Sequence, residues 1–246
     1  MDGNDHGGGL VVSGGRLVLG GETLEAYEVR REVGAGANGV AFLVRHEYLD
    51  RLEVLKVWTT LRAGDLRDKL TQGMAEARKA SKSHSPFTVE MYHAETRGGL
   101  FYATMEYVHG SSLKDALRRP ISLGRRWWLA RLYVNAIAAT TNDQMFHGDA
   151  HPGNVVVYDK EIGGNDAALS LKLIDFGTSK FSGAEVSRDR HWRVVRQTVK
   201  TILSQFGGYA GAAARPFPGE EHLVIAYFDD ILDALRLEAG DQVPRF

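Results

Sequence analysis

No cysteine occurs among the 246 residues, which removes disulfides, thiolate nucleophiles and cysteine-ligated zinc and fits a reducing compartment. Any metal must therefore sit on oxygen or imidazole. An excess of one charge is also missing: 30 Lys and Arg against 31 Asp and Glu leave a formal net charge of −1. No global field draws such a chain onto nucleic acid or anionic lipid, so a phosphate site must be local. No apolar run approaches the roughly 20 residues of a membrane helix, and the start, MDGNDHGGG, is acidic and Gly-rich where a signal peptide is basic. The expectation is a cytoplasmic protein that uses no nucleic acid and inserts in no membrane. What is present, 43% hydrophobic and 25% charged residues, is globular material for one large or two modest cores.

Residues 1–25 mix glycine with short alternating stretches and are expected to form a lead-in or an edge hairpin. Five strands follow at 27–34, 39–48, 52–58, 87–95 and 99–108, with one helix after Asp65, its N-cap, that lines up Leu66, Leu70, Gly73 and Ala77. After His109 the texture turns helical. A short helix stops at Pro120, a long one aligns Leu129, Leu132, Tyr133 and Ala136, and a strand pair at 154–158 and 169–176 brackets a turn. One helix aligns Trp192, Val195, Val199, Ile202 and Phe206; a last one at 220–238 aligns Leu223, Tyr227, Ile231 and Leu235. Residues 207–219 between them are expected to be loop. The divisions drawn are a lead-in (1–25), a β-rich lobe (26–107) and a helical lobe (108–246).

Gly34, Gly36 and Gly39 have the spacing G-x-G-x-x-G, with Ala35 within it and Val40 next. A dinucleotide fingerprint must open a helix, but Val40 begins a strand, so the choice is between a bare hairpin and a phosphate-covering one. Lys56 stands mid-strand among apolar neighbours, where an ammonium needs an anion unless it snorkels to water. Glu76, on the one nearby helix, can supply it. HGDAHPGN (147–154) holds Asp149 and Asn154, and LIDFG holds Asp175. An aspartate can accept a hydroxyl proton, and an amide oxygen with a second carboxylate suits a hard cation. His147 reads as packing first and chemistry second. Arg118, Arg119, Arg125 and Arg126 around Pro120 read as a solvated basic face, with an acidic partner as the alternative.

Jointly, and in this order, these motifs resemble the protein-kinase-like superfamily from about residue 27 to 182. The resemblance implies an α+β bilobal fold, with a five-stranded antiparallel N-lobe carrying helix C and a mostly helical, shortened C-lobe. It implies ATP and magnesium as cofactors. Gly34, Ala35, Gly36, Gly39 and Val40 would cover the nucleotide, Met105 would be the gatekeeper, and the backbone of Glu106 and Val108 would meet adenine. Lys56, oriented by Glu76, would hold the α- and β-phosphates. Asp149 would be the catalytic base, and Asn154 and Asp175 the magnesium ligands, with Phe176 and Gly177 completing the last motif.

Two departures stand out. Gly148 replaces the usual arginine, and His151 takes the place of the usual lysine, from which it would donate to the γ-phosphate if protonated. HGDxHxGN looks more like aminoglycoside and choline kinases, and no Ala-Pro-Glu follows Gly177. Asp189 or His191 is the candidate brace for the loop. The expected acceptor is a protein Ser or Thr hydroxyl, autophosphorylation included. A small-molecule phosphotransferase and a nucleotide-binding pseudokinase are the alternatives.

Overall fold

Alternation of apolar and polar residues, punctuated by Gly-Gly pairs, runs through the first sixty positions, and the chain pairs accordingly. The structure, a computed structural model, describes residues 4–6, 8–36, 39–59, 66–142, 146–163, 166–175 and 184–240. Its contacts divide into two units: residues 1–84 with 89–107, and residues 85–88 with 108–246.

The first unit is an antiparallel sheet of strands β1 (Asn4–Asp5), β2 (Leu10–Ser13), β3 (Arg16–Leu19), β4 (Glu22–Gly36), β5 (Gly39–His46), β6 (Arg51–Trp58), β7 (Met91–Arg97) and β8 (Leu100–Glu106), with helix α1 (Leu66–Ala80) packed on it. The spatial order is β1-β2-β3-β4-β5-β6-β8-β7. The five expected strands are β4 to β8; the sheet has eight because the stretch expected as a lead-in or an edge hairpin pairs into it, β2 and β3 as a hairpin. Leu10, Leu17, Leu19 and Leu24 pack with Phe42, Leu55, Val57 and Tyr102. Full burial of each leucine contributes about 1.5–3 kcal/mol, which is what recruits these short strands. The sheet curls until the β3–β4 turn meets the β7–β8 turn, where a Cβ on Gly20 would overlap Gly98 O and one on Gly98 would overlap Leu19 O.

On the opposite face Trp58, Phe101 and Ala103 pack with Ala77 of α1. Strand β7 begins at Met91 rather than near 87, because Phe87 and Thr88 belong to the second unit: Leu173 N–H donates to Phe87 O at 2.7 Å. Asp65, the expected cap of α1, lies outside the described residues.

The second unit contains β9 (Ser111–Ser112), β10 (Val155–Gly163) and β11 (Asp166–Leu173), in spatial order β11-β10-β9, with helices α2 (Leu113–Arg118), α3 (Leu123–Asn142), α4 (Ala184–Ile202), α5 (Tyr209–Ala212) and α6 (Glu221–Ala239). Ser112 caps α2, its Oγ accepting from Asp115 N–H at 3.1 Å. Helix α3 is the axis. Leu129, Leu132, Tyr133 and Ala136 are all buried on it, Trp127 Nε1–H donates to Leu232 O at 2.6 Å, and Arg131 reaches Asp229 and Asp233 at 2.6 and 2.9 Å.

Three expectations change here. Leu223 is exposed, and the buried stripe of α6 runs through Val224, Tyr227, Phe228, Ile231, Leu232 and Leu235. Phe206 is buried beyond the end of α4, not on it. The 207–219 segment contains α5, which packs on α6. Among the described residues no helix is long and apolar enough to cross a membrane.

Candidate active site

Strand period places Lys56 on the α1 face of β6, and α1 brings Glu76 to it: Lys56 Nζ lies 3.2 Å from Glu76 Oε2. Both are buried. The same oxygen accepts from Trp58 Nε1–H at 2.9 Å, and Oε1 accepts from Gln72 Nε2 at 3.0 Å. Glu76 is thus a shared acceptor for three donors, which satisfies the polar atoms of a buried side chain. Trp58 and Gln72 had a signal in the sequence. Trp58 is two residues from Lys56 on a strand and Gln72 four from Glu76 on a helix, each a same-face spacing.

Lys79, in the last turn of α1, is pushed down to about 8 by burial, with Glu76 pulling the other way. Its folded value lies below the unfolded value near 10.5, so burying the charged form opposes folding at pH 7, and that penalty fades as pH rises from 8 to 10.5. Lys79→Met is expected to stabilise the protein by about 1–2 kcal/mol at pH 7, with the gain shrinking by pH 10 in urea denaturation.

In the Gly-rich hairpin, Gly34 pairs with Ala41, Ala35 with Val40 and Gly36 with Gly39. Gly39 has φ +133°, and a Cβ there would overlap Val57 O. At Gly34 and Gly36 a Cβ would meet nothing within 4 Å. Val40 departs from expectation. It is fully buried in the core under β2 and β3, because alternation turns it away from the Lys56 face, whereas Ala41 stands directly opposite Lys56. Met105 pairs with Val54 and Met91 and is buried. Glu106 N–H donates to Glu90 O at 2.8 Å. Val108, half-buried, is in the second unit.

The loop 147–154 is clamped from several sides. Gly148 has φ +83°, a conformation that explains glycine where an arginine is usual. Its N–H donates to Nδ1 of the fully buried His191 at 3.3 Å. Of the two candidate braces, His191 makes the contact and Asp189 is exposed. His191 stands edge-on to Phe146 and Trp192, at centroid distances of 5.2 and 4.7 Å. His147, also fully buried, accepts from Asp149 N–H through Nδ1 at 3.4 Å and meets Ile174 O through Nε2 at 2.9 Å. That pairing requires the proton on Nε2 and makes His147 a positioning residue. Ala150 O accepts from Tyr133 OH at 2.7 Å and Thr198 Oγ1 at 3.3 Å; burial and the loss of solvent push the Tyr133 phenol pKa upward. His191→Leu, which fills the space but removes the acceptor, is expected to cost about 1–3 kcal/mol, and His191→Asn less, by urea denaturation.

Asn154 Nδ2 donates to Asp149 O at 3.0 Å, and Asn154 O accepts from Ile174 N–H at 2.9 Å. The acid, the amide and the residue preceding Asp175 are therefore bolted together by one side-chain-to-main-chain bond and one main-chain bond. Because its nitrogen faces the loop, Asn154 turns its Oδ1 away from that bond as an oxygen donor. Asp175 has φ +55°, a left-handed conformation that costs a non-glycine residue roughly 1–3 kcal/mol. An amide oxygen and a carboxylate are hard donors and fit magnesium. Phe176 and Gly177 lie outside the described residues.

His151 Nδ1 accepts from Gly153 N–H at 3.0 Å, so the neutral ring carries its proton on Nε2, which lies 3.9 Å from Asp149 Oδ2. It can donate without being charged, which revises the condition set on it. Arg190 Nη2 is 3.6 Å from Asp149 Oδ1. No spacing signalled Arg190; it arrives from α4.

The protein kinase domain family model matches residues 27–200. The chain belongs to the protein kinase domain family. The serine/threonine-protein kinase PrkC of Bacillus subtilis is 26% identical over 163 residues, covering 65% of this chain and 24% of that protein. PknJ of Mycobacterium tuberculosis, also named a serine/threonine-protein kinase, is 27% identical over 164 residues, covering 66% and 27%. This kinase-domain chain thus spans about a quarter of the length of these relatives. The crystal structure of the M. tuberculosis PknI kinase domain has the same fold, with a TM-score of 0.59 at 18% identity, covering 85% of this chain and 96% of that one. The family match begins at residue 27, so β1 to β3 lie outside it.

Proposed function

We propose that the protein transfers the γ-phosphoryl group of ATP to serine or threonine hydroxyls of proteins, itself included. The observation that carries this is the clamp of Asn154 onto Asp149 O and Ile174 N–H, which holds a proton acceptor and a hard oxygen donor in one rigid loop directly beside Asp175. Lys56, held by Glu76, would fix the α- and β-phosphates, and an adenine would have to take the Glu106 carbonyl, since its N–H is bound to Glu90 O. Asn154 and Asp175 would hold magnesium, which when bound neutralises phosphate charge. Asp149 accepts the hydroxyl proton as the new oxygen–phosphorus bond forms and the bond from the γ-phosphorus to ADP breaks, while His151 Nε2–H and Arg190 stand ready for phosphoryl oxygens. The named activities of PrkC and PknJ favour a protein acceptor.

Incubation of the chain with γ-labelled ATP, magnesium and a native lysate tests this. The expected result is label on protein serine or threonine, lost with Lys56→Met. Label confined to small metabolites would replace the reading with a small-molecule phosphotransferase, and ATP binding without any transfer would replace it with a pseudokinase. The glycines separate structural from ligand roles: Gly39→Ala should lose more than about 1 kcal/mol of stability. Gly34→Ala and Gly36→Ala should stay within about 0.5 kcal/mol yet weaken MgATP binding in titration calorimetry.

A further inference from the structure

The four arginines around Pro120 do not form one solvated face. Arg118 pairs with Asp115 at 3.1 Å. Arg126 is buried, 4% exposed, and donates to Ile202 O at 3.0 Å. Arg119 and Arg125 remain, and both line a groove of about 580 Å³ within the second unit, a volume typical of ligand-binding clefts. Arg119 makes no ion pair among the described residues, and Arg125 reaches only Asp159 at 3.9 Å. Ile121, Leu129, Val157 and Leu169 give the groove an apolar side. The N-terminus of α3 opens on it too. Ser122 Oγ accepts from Arg125 N–H at 3.2 Å, and the first turn contains no acidic residue to offset the helix dipole.

We propose that this groove docks an acidic segment of the protein substrate, with an apolar side chain against Leu129 and Val157 and carboxylates against Arg119 and Arg125. This rests on the protein-kinase reading above. A free phosphate would leave the apolar side unused. A nucleic acid needs cations for many phosphates, and here two arginines share the groove with Asp159 in a chain of net charge −1. The groove also sits usefully. Strand β10 starts beside Asn154 and reaches the groove at Val157 to Asp159, about 10–16 Å along an extended strand. A substrate anchored there presents its hydroxyls to Asp149 at raised local concentration.

Fluorescence polarisation on the full chain tests the docking without ATP. The probes are fluorescein-labelled Glu-Asp-Leu-Glu-Leu-Asp and its Lys-for-acid counterpart. The acidic peptide is expected to bind, more weakly as salt rises, and to lose at least tenfold in affinity with Arg119→Glu or Arg125→Glu. Arg119 is exposed, and a glutamate at 125 suits the first turn of α3, so unchanged melting temperatures are expected and the loss reports the groove. Equal binding of the basic peptide, indifference to both charge reversals, or equally effective competition by inorganic phosphate or a DNA oligonucleotide would overturn it. In the transfer assay, the reversals should lower labelling of a serine peptide fused to the acidic segment and spare the serine peptide alone. Intact peptide binding with no phosphoryl transfer by the unaltered chain would sink the kinase reading and the substrate's role while leaving a peptide site.

Discussion

Asp149→Asn should lower phosphoryl transfer about 10²–10⁴-fold, the usual contribution of a positioned general base, with nucleotide affinity and melting temperature nearly unchanged. The loop's bonds at this position are made by the backbone: Asp149 N–H to His147 Nδ1, and Asp149 O to Asn154 Nδ2 and His151 N–H. None depends on the carboxylate. Among the described residues the side chain loses only its approaches to Arg190 at 3.6 Å and His151 at 3.9 Å, partly exposed pairs worth about 0–1 kcal/mol. Single-turnover transfer alongside calorimetric ATP binding checks this. A variant that keeps its rate would remove Asp149 from the role of base, and one that melts early would show that the carboxylate is structural.

The largest stability effect is expected at Glu76. Glu76→Ala takes the acceptor from Lys56, Trp58 and Gln72 together. Removing one partner of a buried ion pair costs about 3–5 kcal/mol, and the indole and amide donors lose a bond in the same step. Lys56→Met should cost clearly less, since Glu76 keeps both neutral donors and methionine fills the space of the lysine stem. Urea denaturation of the two variants at pH 7 orders them. Equal losses would mean that the ion pair alone, rather than the shared acceptor, holds α1 on β6.

Much of the fold is legible locally. Alternation in residues 27–58 marks β4 to β6, and Ser112 with Pro120 brackets α2, because strand period, capping and proline geometry act over a few residues. The 1–25 stretch leaves a lead-in and an edge hairpin both open for the complementary reason, and the structure shows the hairpin. Strands β1 to β3 are four residues or fewer, and the leucines of β2 and β3 acquire a core only when the sheet curls back over them. Val40 shows how narrow the margin is: a one-residue shift in alternation separates the core face from the Lys56 face. The four arginines look alike in the chain, yet they end in an ion pair, a buried backbone contact and a groove.

By itself, the sequence determined the chemical groups and their short-range order: the glycine hairpin, a lysine in mid-strand, and an acid and an amide in one proline-containing loop. These follow from spacing of two, three or four residues, which the backbone imposes wherever the segment lies. Only the tertiary structure decided which partner each polar atom takes. Gly148 finds His191 43 positions away, Arg190 arrives beside Asp149, and Asn154 turns its nitrogen to the loop. Such bonds form only after burial has brought distant segments together, so packing, not local pattern, assigns them.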